Sequence, residues 1–477
     1  MRAARLDCAA RVMSGAAAPL PKHARYAPEY RRFGFFWGLG LEHETYITTS
    51  QTRRVKEFSP ATMRPERYSV SYYKNYQLDP LKPALRSYLD LCGGTITVPV
   101  LMNCHSFTHC DIYGEHRTTY EKSPKPNPKY SGQTMWEWMA ALSPWLAAEK
   151  DRVFMWDGDT VEFMTQRFYC ATVDSALREL ADGHRRFLEE VNRMPRRGVL
   201  TAYGPLQLSP RNEPFATHLT NPRCVSMFNN GTIHINVTLP TRLGWDRRPL
   251  RWRTFVNRHR RLARLVQWWE PIWIAAYGAG DPLCTVSRTA AGSQRCAVSR
   301  YIGVGTYDTE AMPVGKILQI PRTTSLPWYD WLREQTIYAQ LDMIGMDLNF
   351  NKHWAHGLEL RFFEQMPAAE LRTVLTDVVM LMDCALAGRD IPDPRTDIRW
   401  QRAAGEGILY GRDWRVPPEY VEAVCTAMGC SVDRSQKEPV AVPAALSILR
   451  AAAARWCGFC WRHMVTEEPL GCCVWAL

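Results

Sequence analysis

The chain has 477 residues, 46% of them hydrophobic and 22% charged, and a formal net charge of +11. This is the balance of a folded globular protein with ample length for a large core, and it excludes a disordered or fibrous chain. No apolar run reaches membrane-spanning length without a charge: Val440–Val465 comes closest, and Arg450, Arg455 and Arg462 interrupt it. The basic excess favours anionic partners such as nucleotides, nucleic acid or acidic surfaces. Fifteen scattered cysteines with no signal-peptide pattern read as reduced thiols, so an intracellular, cytoplasmic protein is expected.

Residues 1–30 form a basic tail, expected to be disordered. The first 34 residues hold seven Lys or Arg against Asp7 and Glu29, a composition that an organelle transit peptide would share. The first strand lies within Arg31–Thr49. In Gly38-Leu-Gly-Leu-Glu-His-Glu-Thr-Tyr-Ile47, Leu39 and Leu41 point one way while Glu42 and Glu44 point the other. Like charges on adjacent same-face positions repel, which suits either a solvated outer face or a site where a cation sits between them.

Leu81–Gly93 is expected to be a short helix and Thr95–Leu101 a strand. Asn103–Lys129 has the character of a long loop; Cys104, His105, His109 and Cys110 within it could hold zinc, although incidental thiols explain the cluster better. Thr134–Lys150 has helical spacing. Asp157-Gly158 marks a turn, and Thr160–Thr165 follows as a strand with Val161 and Phe163 on one face and Glu162 on the other. Val173–Arg193 is an amphipathic helix. Phe228–Thr241 contains a second alternating strand, opened by the Asn230-Gly231 turn. Thr232, His234, Asn236 and Thr238 share one face there, and Ile233, Ile235 and Val237 the other.

Arg251–Tyr277 is a long helix with a kink expected at Pro271. Eight arginines crowd Arg247–Arg264. A nucleic-acid stripe is one reading, but the apolar positions Leu262, Leu265, Val266, Trp269 and Trp273 favour a solvated basic face on a helix packed inward. Ser299–Tyr307 is a glycine-containing strand or loop, and Asp330–Met343 a helix. Gly357–Glu364 is the fourth chemically notable strand, with Leu358 and Leu360 inward and Glu359 and Arg361 on the opposite face. Ala368–Leu386 is helical. Beyond Gly388 the pattern loosens, and residues 391–477 read as a Cys/Trp-rich extension of a main domain spanning 31–390. Within that extension, Trp456-Cys-Gly-Phe-Cys460 mimics a thioredoxin motif but lacks its βαβ context.

Four strands therefore carry polar ligand types on one face and apolar residues on the other. The expected fold is α+β: a curved, mainly antiparallel sheet with helices on one side and an acid-lined concave face on the other. Such a face can hold divalent ions that bridge triphosphate oxygens. Arg361 is placed to meet phosphate. No Walker or Rossmann phosphate loop is present, and Gly38-Leu-Gly40 is too short to be one.

The Glu-x-Glu strand, the Val-Glu-Phe-Met-Thr strand, the His-x-Asn strand and the late Glu-Leu-Arg strand, in that order, resemble the carboxylate–amine ligase superfamily of glutamine synthetase and glutamate–cysteine ligase. The likeness spans roughly Gly34 to Leu386. It is nearest the amidoligase branch, which has members in large DNA viruses. The resemblance implies ATP and Mg²⁺ (or Mn²⁺) as cofactors and a carboxylate and an amine as substrates. The product would be an amide, formed through an acyl phosphate with release of ADP and phosphate. It implies Glu42, Glu44, Glu162, His234 and Glu359 as metal ligands, with Arg361 stabilising the transferring phosphoryl group. Asn236 stands where many relatives carry a second His. Arg295 and Arg300 fall where substrate- or phosphate-binding arginines lie. The other class to be weighed is a structural or nucleic-acid-associated protein that keeps the fold without turnover.

Overall fold

The computed structural model describes residues 35–49, 53–54, 68–70, 73–76, 82–91, 95–96, 102, 135–157, 160–195, 204–209, 231–242, 250–299, 327–337, 357–431 and 437–470. Its centre is a five-stranded sheet built from β1 (Phe35–Thr45), β2 (Phe154–Asp157), β3 (Thr160–Met164), β4 (Thr232–Arg242) and β5 (Leu358–Glu364). The spatial order is β5-β4-β1-β3-β2, and every pairing is antiparallel. The fold class is thus α+β with a mainly antiparallel sheet, as the alternation implies. The strand β2 was not foreseen; its partner is β3.

Register places the ligand-type residues together. Glu42 lies opposite His234, Gly40 opposite Asn236, Glu44 opposite both Thr232 and Glu162, and Asn236 opposite Glu359. Directly paired residues in a sheet project to the same side. The other side carries Leu39, Leu41, Val161, Phe163, Ile233, Ile235, Val237, Leu358 and Leu360, all buried. That apolar face packs on two helices, α1 (Val173–Asn192) and α2 (Trp252–Tyr277), and a third, α3 (Ala368–Leu386), packs on both of them. A reciprocal Thr172/Ser175 capping box starts α1. Pro271 sits inside α2, which is described as one continuous helix.

The segment expected to be one helix over Thr134–Lys150 is two, Met135–Leu142 and Pro144–Glu149. Pro144 lacks the amide hydrogen that a continuous helix needs, and Ser143 caps the second helix by accepting from the Leu146 amide. The loosened pattern after Gly388 also hides regular structure: α4 (Ile398–Tyr410), α5 (Pro418–Ala427) and α6 (Val442–Ala453). Asp397 caps α4, and prolines open α5 and α6, where a missing N–H costs nothing. These helices share the core of the sheet's helical layer. Asp377 of α3 fastens α6, receiving the Arg450 guanidinium at 2.8 Å on both oxygens, and also accepts the Trp273 indole N–H at 3.1 Å. Expected features within Asn103–Lys129 and Ser299–Tyr307, including Cys104–Cys110 and Arg300, lie outside the described residues, apart from Ser299. No helix among the described residues is long and apolar enough to cross a membrane.

Gly38 and Gly40 lie on the ligand-bearing face just before Glu42, and Phe168 covers them. A Cβ at Gly40 would lie 2.9 Å from the Phe168 ring, and one at Gly38 would run into the same ring. The glycines thus serve close packing rather than a phosphate loop. Gly38→Ala is expected to lower stability by about 1–3 kcal/mol in chemical denaturation, because the core must be overpacked. Phe168→Leu in the same chain should restore part of that loss. Unchanged stability in Gly38→Ala would contradict this packing.

Candidate metal centre

Glu42, His234 and Glu359 come from β1, β4 and β5, neighbouring strands of the sheet, and all three are buried, at 5%, 3% and 1% exposure. His234 Nδ1 lies 3.3 Å from Glu42 Oε2 and 3.5 Å from Glu359 Oε1. One ligand atom from each residue falls within 4.8 Å of the others. Cis ligands on an octahedral ion with bonds of about 2.1 Å are about 3.0 Å apart, so each carboxylate needs to approach His234 Nδ1 by only a few tenths of an ångström. Two carboxylates and an imidazole suit Mg²⁺ or Mn²⁺.

His234 is held in its neutral form. Burial pushes its pKa well below the usual imidazole value, and the Arg361 and Arg295 guanidiniums add to the effect, against the opposing pull of Glu42. A neutral imidazole is the form that ligates a metal. Asn236 Nδ2 donates to Glu42 Oε1 at 3.3 Å and steadies that carboxylate. Glu44 lies one rung away, its two oxygens accepting from the Thr160 and Thr232 hydroxyls at 2.8 and 3.2 Å. Glu162 is half-buried beside Glu44 across the β1–β3 register. Both acids border the three-residue cluster without joining it. Four ionised carboxylates against Arg295 and Arg361 would leave two negative charges, which one divalent ion balances.

Two arginines face the cluster. Arg361 Nη1 donates to Glu359 Oε1 at 2.9 Å. Arg295 Nη2 stands 3.3 Å from His234 Nε2, and its Nε donates to the Arg361 carbonyl at 2.8 Å. The expected site residues Glu42, His234, Asn236, Arg295, Glu359 and Arg361 therefore meet in space.

A bulge explains a residue that the sequence reading passed over. The β4–β5 register shifts between Ile233 and Ile235, so Arg361 and Phe362 together oppose His234. Phe362 and Phe363 both turn toward Trp273 of α2. Simple alternation would then put Glu364 on the helical side; the bulge returns it to the ligand side, opposite Thr232. There Glu364 Oε1 accepts from the Arg295 amide at 3.1 Å and Oε2 from the Ala279 amide at 3.0 Å, fixing the start of the short Gln294–Ser299 helix that carries Arg295. The Phe362-Phe363 doublet, which breaks the period of two, is the signal that could have found it.

Glu364 has a neighbour in Asp281, fully buried, whose Oδ1 accepts from the Leu283 amide at 2.8 Å. Burial raises the Asp281 carboxyl to about 7, with the Glu364 charge adding to the rise. Burial likewise raises Glu364 to about 7, against the donors that surround it. The unfolded chain loses these protons near pH 4, whereas the native state keeps them to about pH 7. Each group therefore withdraws stability as pH rises through that window. His43 and His184, Nδ1 to Nε2 at 3.1 Å beneath the sheet, act oppositely: burial lowers them to about 3 and 4, so they add stability over an overlapping range. The informative quantity is a difference between proteins. Asp281→Asn keeps the Leu283 bond, and its stability relative to the parent should improve by on the order of 2–4 kcal/mol between pH 4 and 7. Parallel stability–pH curves would contradict the assignment.

Mn²⁺ titrated into the protein in a calorimeter should bind in this cluster. Glu359→Gln and Glu42→Gln should each weaken that affinity at least about 100-fold, and Thr232→Val, which removes the hydroxyl 3.3 Å from His234 Nε2, about 10-fold. Binding unaltered in Glu359→Gln would remove the cluster from consideration.

Comparison with known proteins adds kinship without a function. Over 408 residues the chain is 33% identical to the uncharacterised protein R704 of Acanthamoeba polyphaga mimivirus, an alignment covering 83% of this chain and 71% of that protein. No family model and no solved structure matches the chain. At this identity and coverage, the chain belongs to the same family as the mimivirus protein.

Proposed function

We propose that the protein is an ATP-dependent carboxylate–amine ligase. The observation that carries this reading is the buried Glu42–His234–Glu359 cluster with Arg361 and Arg295 beside it. Carboxylates that gather a divalent ion, next to guanidiniums that match phosphate geometry, suit a triphosphate. The ion, when bound, neutralises charge on the phosphate oxygens.

In this reading the substrate carboxylate attacks the γ-phosphorus and the bond to the bridging oxygen of ADP breaks, giving an acyl phosphate. The amine then attacks the acyl carbon, phosphate leaves, and the amine's proton passes to solvent or a nearby base. Arg361 is 14% exposed at its side chain, enough to reach a bound phosphate while anchored to Glu359. Arg295, held from behind by Glu364 and by the Arg361 carbonyl, gives a second fixed positive charge. Preorganised charge of this kind is the main lever that phosphoryl transfer offers a protein. Phe168 over Gly38 and Gly40 closes one end of the ligand-bearing face and limits water there.

The test is ADP release with Mg²⁺ across a panel of carboxylates with amino acids, polyamines and peptides as amines. An amine-dependent signal is expected, reduced about 100- to 1,000-fold in Arg361→Ala at unchanged melting temperature. ATP turnover equal to the parent in both Arg361→Ala and Glu359→Ala would reject the assignment.

A further inference from the structure

His234 is met on both ring nitrogens, and the groups that meet them settle which nitrogen carries the ring hydrogen. On the Nδ1 side stand Glu42 Oε2 at 3.3 Å and Glu359 Oε1 at 3.5 Å, carboxylate oxygens that only accept. On the Nε2 side stand Arg295 Nη2 and the Thr232 hydroxyl, each at 3.3 Å. A guanidinium only donates. A hydrogen on Nε2 would be turned against that donor. Nε2 therefore offers its lone pair to Arg295, and the hydrogen lies on Nδ1, directed at Glu42. The same contact excludes an imidazolium, which carries a hydrogen on each nitrogen.

That tautomer is the wrong one for a metal ligand. The atom placed beside both carboxylates is Nδ1, and it can hold a cation only through its lone pair. A neutral ring that ligates through Nδ1 carries its hydrogen on Nε2, and that hydrogen needs an acceptor. Thr232 supplies one. Its own hydroxyl hydrogen is committed to Glu44 Oε2 at 3.2 Å, so toward Nε2 its oxygen accepts. Arg295 and Thr232 thus serve opposite tautomers of one ring from the same distance. With the hydrogen on Nε2 the guanidinium must withdraw, since two donors would otherwise meet. Arg295 can turn aside without losing its place. Its Nε is held by the Arg361 carbonyl at 2.8 Å and its amide by Glu364 at 3.1 Å, which fixes the base of the side chain while the outer nitrogen moves.

We propose that Arg295 and the cation hold His234 in opposite tautomers, so that cation binding hands the ring hydrogen to Thr232 and releases the Arg295 guanidinium toward a bound phosphate. The hydrogen on Nδ1 passes to solvent and one from solvent joins Nε2, so the imidazole is neutral before and after. Coupling of this kind is reciprocal: the Arg295 contact opposes the cation as much as the cation opposes the contact. Arg295 is then a positioning residue that makes the cation precede the phosphates at the site. The inference rests on the ligase reading only for phosphate as the destination of Arg295. The tautomer exchange concerns the metal centre alone.

Nitrogen NMR of the full chain labelled with ¹⁵N-histidine reads the tautomer, and the signals lost in His234→Asn identify the ring. Without Mg²⁺ the hydrogen should be on Nδ1; at saturating Mg²⁺ it should be on Nε2. Crystals grown with and without Mg²⁺ read the arginine: Nη2 should lie in hydrogen-bond reach of Nε2 only without the ion, and beyond about 3.5 Å with it. Arg295→Met, which keeps the stem and removes the donor, should bind Mn²⁺ about tenfold tighter or more in a calorimeter, the worth of one hydrogen bond from a charged group. The proposal is overturned if the Mg²⁺-free parent already carries its hydrogen on Nε2, or if Mg²⁺ leaves His234 unchanged, whether the ion sits elsewhere or does not bind. It is also overturned if Arg295 stays on Nε2 in the loaded crystals, or if Arg295→Met binds Mn²⁺ no tighter than the parent. The measurements on the parent need no variant to fold, and none of the readings involves ATP. Absence of ADP release with the exchange intact would therefore reject the ligase reading and leave the exchange standing.

Discussion

Carboxylates that share one buried face of a sheet impose the constraint on which this structure turns. Glu42, Glu44 and Glu359 are buried side by side, with Glu162 at their edge. Uncompensated, such a group would repel itself and lose hydration, at a cost of several kcal/mol per charge. The protein meets the demand in stages. Hydroxyls of Thr160 and Thr232 serve Glu44, the Asn236 amide serves Glu42, and the Arg361 guanidinium serves Glu359. The residual negative charge is what would make the cluster, in the reading proposed above, a binding site for a cation rather than a closed internal network.

Everything beneath the sheet serves to hold that face still. Tryptophans 268, 269 and 273 of α2 are fully buried, and the Asp377–Arg450 ion pair ties α3 to α6 while receiving Trp273. The described part of the C-terminal region belongs to this same body. Asp383 of α3 accepts from the amides of Gly458, Cys460 and Trp461, which gives the Trp-Cys-Gly-Phe-Cys stretch a structural role. Burial raises the Cys460 thiol well above its usual value and raises Cys457 as well, the opposite of what a redox-active pair requires.

The alternation of β1, β3, β4 and β5 was legible because one face is apolar and the period is two; a slip of one residue would bury the acids against α2. For the same reason Glu42, His234 and Glu359 were recognisable as neighbours from three separate stretches. Three things were not legible. The bulge at Arg361-Phe362 is a tertiary accommodation to Trp273, so the return of Glu364 to the ligand side could not be read from alternation. Helices α4 to α6 are buried on several faces and lack a clean stripe, which masks their period. The clearance of Gly38 and Gly40 for Phe168 depends on a contact 130 residues away in sequence. Arg295 was placed by resemblance alone, and its approach to His234 is fixed by Glu364 and a backbone carbonyl rather than by any local pattern.

The central claim is that residues from three strands share one cation. Crystals grown with Mn²⁺ and measured at the manganese absorption edge test it most directly. The account requires an anomalous peak within bonding distance of His234 Nδ1, Glu42 and Glu359 together, lost in Glu359→Gln crystals. A peak coordinated only by Glu44 and Glu162, or no peak on this face of the sheet, would contradict it.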